Sequence, residues 1–259
     1  MIEVKDLWKS FGENQVLTGI DLHIPRGETL VIMGPSGCGK SVLLRLLTGL
    51  MKPDRGQIWF DGLEISTFSK KKLVPIRRRL GMLFQSAALF DFMTVEENVG
   101  FTLTQHQGMQ NVHSIAKEKL KLVDLHNVEQ LKPAEISGGM RKRVGLARAI
   151  ADDPEVIFYD EPTTGLDPVT GDEINQLMFN LHEKLNVTSV IVTHDMDSAF
   201  FVATRMVMLH RGRVIAEGTP EEMKAEENPI VRQFIYSGSR KILDPHLKDT
   251  RETIERVES

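Results

Sequence analysis

Between Val31 and Ser41 the chain reads Val-Ile-Met-Gly-Pro-Ser-Gly-Cys-Gly-Lys-Ser, an apolar run that breaks into glycines and ends on a lysine and a hydroxyl. These residue types at this spacing can grip polyphosphate. Gly34, Gly37 and Gly39 accept backbone angles that turn successive N–H groups to one side, and their missing side chains let an anion come close. Pro35, Ser36 and Cys38 occupy the variable positions, and Val42 follows as the segment becomes leucine-rich. Lys40 would neutralise β- and γ-phosphates, and Ser41 would set its hydroxyl on Mg²⁺. The helix opening near Lys40 would add the positive end of its dipole. A glycine-rich turn can match such a pattern by accident. Here an apolar strand precedes it and a helix follows, which is the context the chemistry requires, so the stretch predicts a nucleoside-triphosphate site.

Two further groups suit that ligand. The apolar run Val156-Ile157-Phe158-Tyr159 ends in Asp160-Glu161. An aspartate there can hold Mg²⁺, and the adjacent glutamate can orient or deprotonate an attacking water; a buried carboxylate pair is otherwise costly without a metal or hydrogen bonds. The plainer reading is a solvated acidic turn after a strand. Ser137-Gly138-Gly139 opens another helix, where a hydroxyl and free N–H groups make a second anion site. By itself it would read as an ordinary N-cap followed by flexible glycines. It lies far along the chain from Gly34, so two molecules arranged head to tail could each lend this helix end to the other's γ-phosphate, giving two composite sites in a symmetric dimer.

The 259 residues allow one large domain or two small ones, and 41% hydrophobic with 26% charged residues is ordinary for a globular protein. A formal net charge of -4 argues against a general nucleic-acid binder. The single cysteine, Cys38, excludes an internal disulfide and fits a reducing compartment; a small residue tolerated in a variable loop position explains it as well as a reactive thiol does. No run approaches the roughly 18 apolar residues of a membrane span, and the first residues lack the layout of a secretory signal. Service to a membrane would then come from the cytoplasmic side, through partner chains.

The elements that must position these groups read as α/β. Ile2, Val4 and Leu7 mark one strand, Gly19 to Ile24 another, and Thr29 to Met33 a central parallel strand apolar on both faces. Phe11 stands beside Gly12 between the first two, where it could stack on a base or cap a small β-layer, with Trp8 a weaker candidate. Leucines at 43, 44, 46, 47 and 50 make a buried helix, and Gln57 to Gly62 and Leu80 to Phe84 two more strands. Lys70-Lys71-Lys72 and Arg77-Arg78-Arg79 read as solvated charged faces. From 87 to 150 helical signals replace strand signals, as in a helical insertion, with a new helix expected over Arg141 to Ala151. Strands at Val156 to Tyr159 and Thr188 to Thr193 follow, the latter ending in His194, then a hairpin around Arg211-Gly212. The tail from Gly238 is highly charged with sparse apolar anchors, and reads as disorder or as an arm docking on a partner.

Taken in order, these motifs resemble the ATPase subunits of ATP-binding-cassette (ABC) transporters over residues 2 to 236. The resemblance implies a P-loop NTPase (RecA-like) core with an N-terminal antiparallel β-subdomain and an inserted α-helical subdomain. It implies one nucleotide-binding domain over 1–236, the insertion at about 87–150, and a C-terminal extension, 237–259, that contacts a dimer partner. Residue by residue, it makes Phe11 the adenine-stacking aromatic and Gly34 to Ser41 the phosphate loop, with Val42 beside it. Gln85 becomes the glutamine that contacts Mg²⁺ or water and links the core to the insertion. Ile136 to Met140 becomes the signature, with Ser137, Gly138 and Gly139 meeting phosphate. Asp160 becomes a Mg²⁺ ligand together with Ser41 and Gln85, Glu161 the catalytic glutamate, Asp167 the D-loop aspartate and His194 the switch histidine. A strand-end histidine taken alone is more often structural.

The usual signature is L-S-G-G-Q, and here it reads Ile136-Ser137-Gly138-Gly139-Met140, so the amide of the last position is lost. Met140 followed by Arg141-Lys142-Arg143 is similar to the lipid-transport branch, the ATPases of maintenance-of-lipid-asymmetry (Mla) and mammalian-cell-entry (MCE) systems. That branch implies ATP and Mg²⁺ as cofactors and a second copy of the chain as partner. It also implies an integral membrane permease, a small cytoplasmic regulatory subunit and an MCE-type substrate-binding protein, at the cytoplasmic face of the inner membrane, with no nucleic acid. The alternatives are an importer motor for a small polar solute, against which Met140 and the tail weigh, and a soluble ABC-type ATPase acting on nucleic acid or ribosomes. The latter usually carries coiled coils or paired ATPase halves, and neither is in this sequence.

Overall fold

A computed structural model describes residues 1–107 and 111–239. The chain opens with β1 (Ile2–Phe11) and β2 (Asn14–Ile24), then enters β3 (Thr29–Met33), the phosphate-loop strand, and α1 (Lys40–Leu47). It continues through β4 (Arg55–Phe60), β5 (Leu63–Glu64), α2 (Lys70–Arg77) and β6 (Leu80–Leu83). The helices α3 (Val95–Gln107), α4 (Val112–Leu122) and α5 (Gly138–Ala149) come next, with a short 3₁₀ turn at Pro133–Glu135 before the last. Then β7 (Val156–Asp160), α6 (Pro168–Leu185), β8 (Thr188–Thr193) and α7 (Met196–Val202) alternate. The hairpin β9 (Arg205–His210) and β10 (Arg213–Gly218), with α8 (Pro220–Ala225) and α9 (Pro229–Gly238), complete the described chain.

The strands form an antiparallel sheet ordered β2-β1-β4-β5 and a six-stranded sheet ordered β10-β9-β3-β8-β7-β6. In the second, β3 pairs in parallel with both β8 and β9, and β7 with β6 and β8. All five residues of β3 and of β7 are buried, which is why those runs are apolar on both faces. The α1 helix lies between the two sheets. Its Leu43, Leu44, Leu46 and Leu47 join Val4, Ile58 and Val190 in one core, each leucine contributing about 2 kcal/mol of apolar burial. A second core on the opposite side of the large sheet takes in α3 to α7.

The parallel register places the chemistry. Met33 pairs with Thr193, Asp160 with Val192, and Leu83 with Tyr159. The C-terminal ends of β3, β8, β7 and β6 therefore emerge along one edge, carrying the phosphate loop, His194, Asp160-Glu161 and Gln85. Ligands of open α/β sheets collect at such an edge.

Half of one sequence expectation fails. Lys70, Lys71 and Lys72 are exposed, as expected, but Arg77, Arg78 and Arg79 are half-buried. Arg77 donates to the carbonyl of Gly49 at 2.7 Å, and Arg79 lies 4.5 Å over the ring of Phe60 while pairing with Asp61 and Glu155. Arg26 meets the same two carboxylates, so four charges clamp the antiparallel sheet to the start of β7. A run of like charge looks solvated in sequence because its partners are 18 and 76 residues away. The helix expected over Arg141 to Ala151 begins earlier, at Gly138, because Ser137 caps it by accepting from the N–H of Met140 at 3.2 Å. Residues 240–259, most of the extension expected after 237, lie outside the described residues.

Candidate active site

The phosphate loop leaves β3 through Gly34, at φ 147°. A Cβ there would stand 2.1 Å from the carbonyl oxygen of Leu209 in β9, so the position admits only glycine. Pro35 is half-buried and Ser36 and Gly37 exposed, while Cys38 and Gly39 turn back into the fold. Burial pushes the Cys38 thiol above its ordinary pKa, against the pull of Lys40, which fits a packing residue better than a reactive one. Lys40 is buried, and its ammonium donates to the carbonyls of Gly34 at 2.7 Å and Pro35 at 3.2 Å.

Ser41 donates its hydroxyl to Asp160 Oδ1 at 3.0 Å, bringing α1 and β7 together. Glu161, the next residue, has φ 49°, in the left-handed region that non-glycine residues seldom occupy. Its N–H donates to the carbonyl of Val192 at 2.9 Å. Its carboxylate Oε2 lies 2.8 Å from His194 Nδ1 and accepts from the Thr164 hydroxyl at 3.2 Å. Glu161 is 9% exposed, and His194 is exposed.

Several of these groups line an open cleft of about 470 Å³, whose wall comprises Phe11, Val16, Ser36, Gly37, Gly39, Lys40, Ser41, Val42, Gln85, Glu161 and His194. Gly34, Pro35, Cys38 and Asp160 are not part of that wall, Asp160 meeting it through Ser41. Of the sequence candidates, Phe11 stands at its rim, 48% exposed. Trp8 does not line the cleft; its indole donates to Asp6 and Arg55 stacks on it. Ser137, Gly138, Gly139 and Asp167 also lie outside it. Ser137 is exposed, and Gly139 packs so closely on Thr170 that a Cβ would sit 2.7 Å from that methyl. Asp167 caps α6 by accepting from the N–H groups of Val169 and Thr170 and from the Thr170 hydroxyl, bonds that hold its carboxyl below the usual range. Met140 packs on the larger core, so its apolar side chain has a place that an amide would fill less well.

Three residues beside the site escape a reading by motif. Val16 builds the wall next to Phe11 from a strand that looks purely structural. Thr164 holds Glu161 from three residues further on. Lys142 is 5% exposed and donates to the main-chain carbonyls of Gln85 at 2.5 Å and Glu161 at 3.2 Å. Burial pulls its pKa down to about 8, against the opposing charges of Glu161 and Asp160. Its spacing from Gly145 and Arg148, three residues apart each time, is the signal that could have found it.

The family described as "ABC transporter" matches residues 17–164. Among curated proteins, the probable ribonucleotide transport ATP-binding protein mkl of Mycobacterium leprae is 44% identical over 236 residues, which is 90% of this chain and 68% of the relative. The intermembrane phospholipid transport system ATP-binding protein MlaF of Escherichia coli K12 is 40% identical over 237 residues, 91% of this chain and 88% of the relative. Among solved structures, the dimeric post-hydrolysis state of the cassette MJ0796 bound to ADP and Pi superposes with a TM-score of 0.78 at 36% identity, covering 85% of this chain and 99% of that one. The cbiO1 subunit of the cbiONQ transporter complex from Clostridium perfringens reaches a TM-score of 0.80 at 30% identity, covering 97% and 98%.

Proposed function

This chain belongs to the ABC transporter ATPase family, and from that premise we propose that it hydrolyses ATP at composite sites to drive a permease that moves phospholipid. One observation carries the site assignment. Lys40, Ser41, Glu161 and His194 line a single cleft, with Asp160 bonded to Ser41 just behind its wall, whereas the Ser137 helix tip is exposed outside it, available to a second copy.

In this reading Phe11 stacks on the base and the backbone N–H groups from Gly34 to Val42 cradle the phosphates. Lys40 exchanges neutral carbonyl acceptors for anionic phosphate oxygens, which bind an ammonium more strongly. The hydroxyl of Ser41 and the carboxylate of Asp160, already in contact, with the side chain of Gln85 on the same cleft, form an oxygen donor set that suits Mg²⁺. Bound there, Mg²⁺ would neutralise charge on the β- and γ-oxygens. Glu161 accepts a proton from the attacking water, and His194 holds its carboxylate in line. Ser137, Gly138 and Gly139 of the second copy would offset charge on the γ-phosphate, with Asp167 at the same interface.

The phospholipid cargo rests on the MlaF proteins, which align over nearly their whole length; that of Haemophilus influenzae is covered to 91%. The mkl name points instead to ribonucleotide transport, but 68% of that protein is covered. No helix among the described residues is long and apolar enough to cross a membrane. The likeness to the MlaF ATP-binding proteins of a transport system supports a permease on a separate chain, with this one peripheral on the cytoplasmic face. A small regulatory subunit and an MCE-type binding protein belong to the same proposal. Purification with native partners from detergent-solubilised membranes, followed by identification of bound small molecules, tests it. Phospholipid in the complex is the expected result; a ribonucleotide cargo would overturn the lipid assignment and leave the ATPase assignment standing.

A further inference from the structure

Helix α5 carries more than a phosphate-binding tip. Lys142, Gly145 and Arg148 repeat every third residue and so share one face. That face presses on the segment leaving β6: a Cβ on Gly145 would stand 2.8 Å from Leu83 and 3.2 Å from the Cβ of Ala87. Arg148 donates to the carbonyls of Ala87 at 2.5 Å and Ala88 at 2.7 Å, two consecutive residues at φ 61° and 48°. Lys142 donates to the carbonyl of Gln85 at 2.5 Å and reaches the carbonyl of Glu161 at 3.2 Å. A buried ammonium whose hydrogen bonds run to neutral carbonyls is costly to keep. The bonds explain its presence: they fix two peptides, one beside the glutamine of the cleft and one inside the strained turn of Glu161.

We propose that Lys142 is a positioning residue for ATP hydrolysis, tying the helix that begins at Ser137 to Gln85 and to the backbone of Glu161 within one subunit. The inference rests on the assignment of Glu161 as the proton acceptor. With its N–H donating to Val192 and its carbonyl accepting from Lys142 at 3.2 Å and from the Thr164 N–H at 3.3 Å, the backbone of Glu161 is pinned on both sides, and its carboxylate is then aimed by His194 and the Thr164 hydroxyl. Lys142 touches none of the reacting atoms. It acts through main-chain orientation, where a displacement of about 1 Å is enough to slow chemistry up to a hundredfold. Because α5 also bears the tip that would meet the other copy's γ-phosphate, engagement at one site would reach Gln85 and Glu161 of the same chain along this rigid face.

The test is steady-state ATP hydrolysis by the full chain with Lys142→Met, Lys142→Gln, Glu161→Gln and the Lys142→Met/Glu161→Gln pair. Lys142→Met should lower kcat about tenfold with KM for ATP within about twofold, the pattern of a contact felt in the transition state. Lys142→Gln keeps one donor and should recover part of that loss; it decides the matter alone if the methionine variant does not fold. In the Glu161→Gln background, Lys142→Met should cost less than about twofold more, since both act on one step. A kcat within twofold of wild type in both single variants of Lys142, a loss carried in KM, or full multiplication of the two losses would overturn the proposal. Near-normal turnover in Glu161→Gln would instead overturn the role of Glu161, a separate outcome.

Discussion

His194 Nδ1 stands 2.8 Å from Glu161 Oε2, a contact made across the ends of two adjacent parallel strands. The imidazole comes from the residue after β8 and the carboxylate from the residue after β7, so the sheet register sets their separation before any ligand arrives. With the Thr164 hydroxyl on the same oxygen, one side of the carboxylate is held and the other is left for water.

That arrangement predicts a division between binding and chemistry. Glu161→Gln should lower turnover at least about a hundredfold, the usual worth of a general base, while ATP binding stays within a few-fold. Size-exclusion chromatography in ATP should then show an accumulated dimer. Turnover close to wild type would remove Glu161 from its role.

Gly34 and Gly37 should respond differently to alanine. At Gly34 the new methyl would overlap the Leu209 carbonyl at 2.1 Å, so the loop or β9 must shift and nucleotide binding should be lost. At Gly37 nothing lies within 4 Å and only φ 79° opposes the change, a strain of about 1 kcal/mol. Thermal unfolding with fluorescent-nucleotide titration separates the two, with the Gly37 variant folded and the Gly34 variant unable to bind.

The charge clamp at the foot of β7 should be acid-sensitive. The Arg79 hydrogen bond, partly opposed by burial and aided by Arg26, pulls the Glu155 carboxyl from 4.5 down to about 2. A folded-state pKa below the unfolded one stabilises the fold above about pH 4.5, and that stability is lost as pH falls toward about 2. Solvent screening at this partly exposed pair limits the effect to about 1 kcal/mol. Urea denaturation at pH 5 and pH 3 should show the fall, and Glu155→Gln should flatten it; an equal slope in the variant would assign the acid response elsewhere.

Leu89 and Phe90, in the segment after β6, are both half-buried: Leu89 packs on the larger core, and the Phe90 ring lies tilted against Phe101 at 4.7 Å. Phe92, 73% exposed and 5.8 Å from the Phe90 ring, is the side chain left for a partner. Phe92→Ala should leave basal hydrolysis by the isolated chain within about twofold, as for an ordinary surface change, and reduce transport by the assembled complex. Equal loss of both would make Phe92 part of the fold's own support.

Most of the strands and the phosphate loop were legible because their signals are local. An apolar run of five residues buried on both faces, a Gly-rich turn and Lys40-Ser41 depend on neighbours in sequence, and β3 and α1 follow from them. Ser137 was legible as a cap for the same reason, since its partner Met140 is three residues away. Arg79 was misread because its carboxylates come from distant segments, and Lys142 stood out only as part of the basic run after Met140, without a link to the site, because its acceptors are carbonyls, which every residue carries.

The sequence by itself determined the order of strand, loop and helix, the chemistry available at Lys40, Ser41, Asp160, Glu161 and His194, and the family resemblance. Only the tertiary structure decided that Met33, Thr193, Asp160 and Leu83 end along a common edge, that Phe92 rather than Phe90 faces outward, and that α5 presses Lys142 against the peptide of Glu161. The reason is one of range. Backbone propensity and side-chain type act over a few residues, whereas register, burial and the aim of a carboxylate arise when segments distant in the chain, such as Met33 and Thr193, pack into one interior.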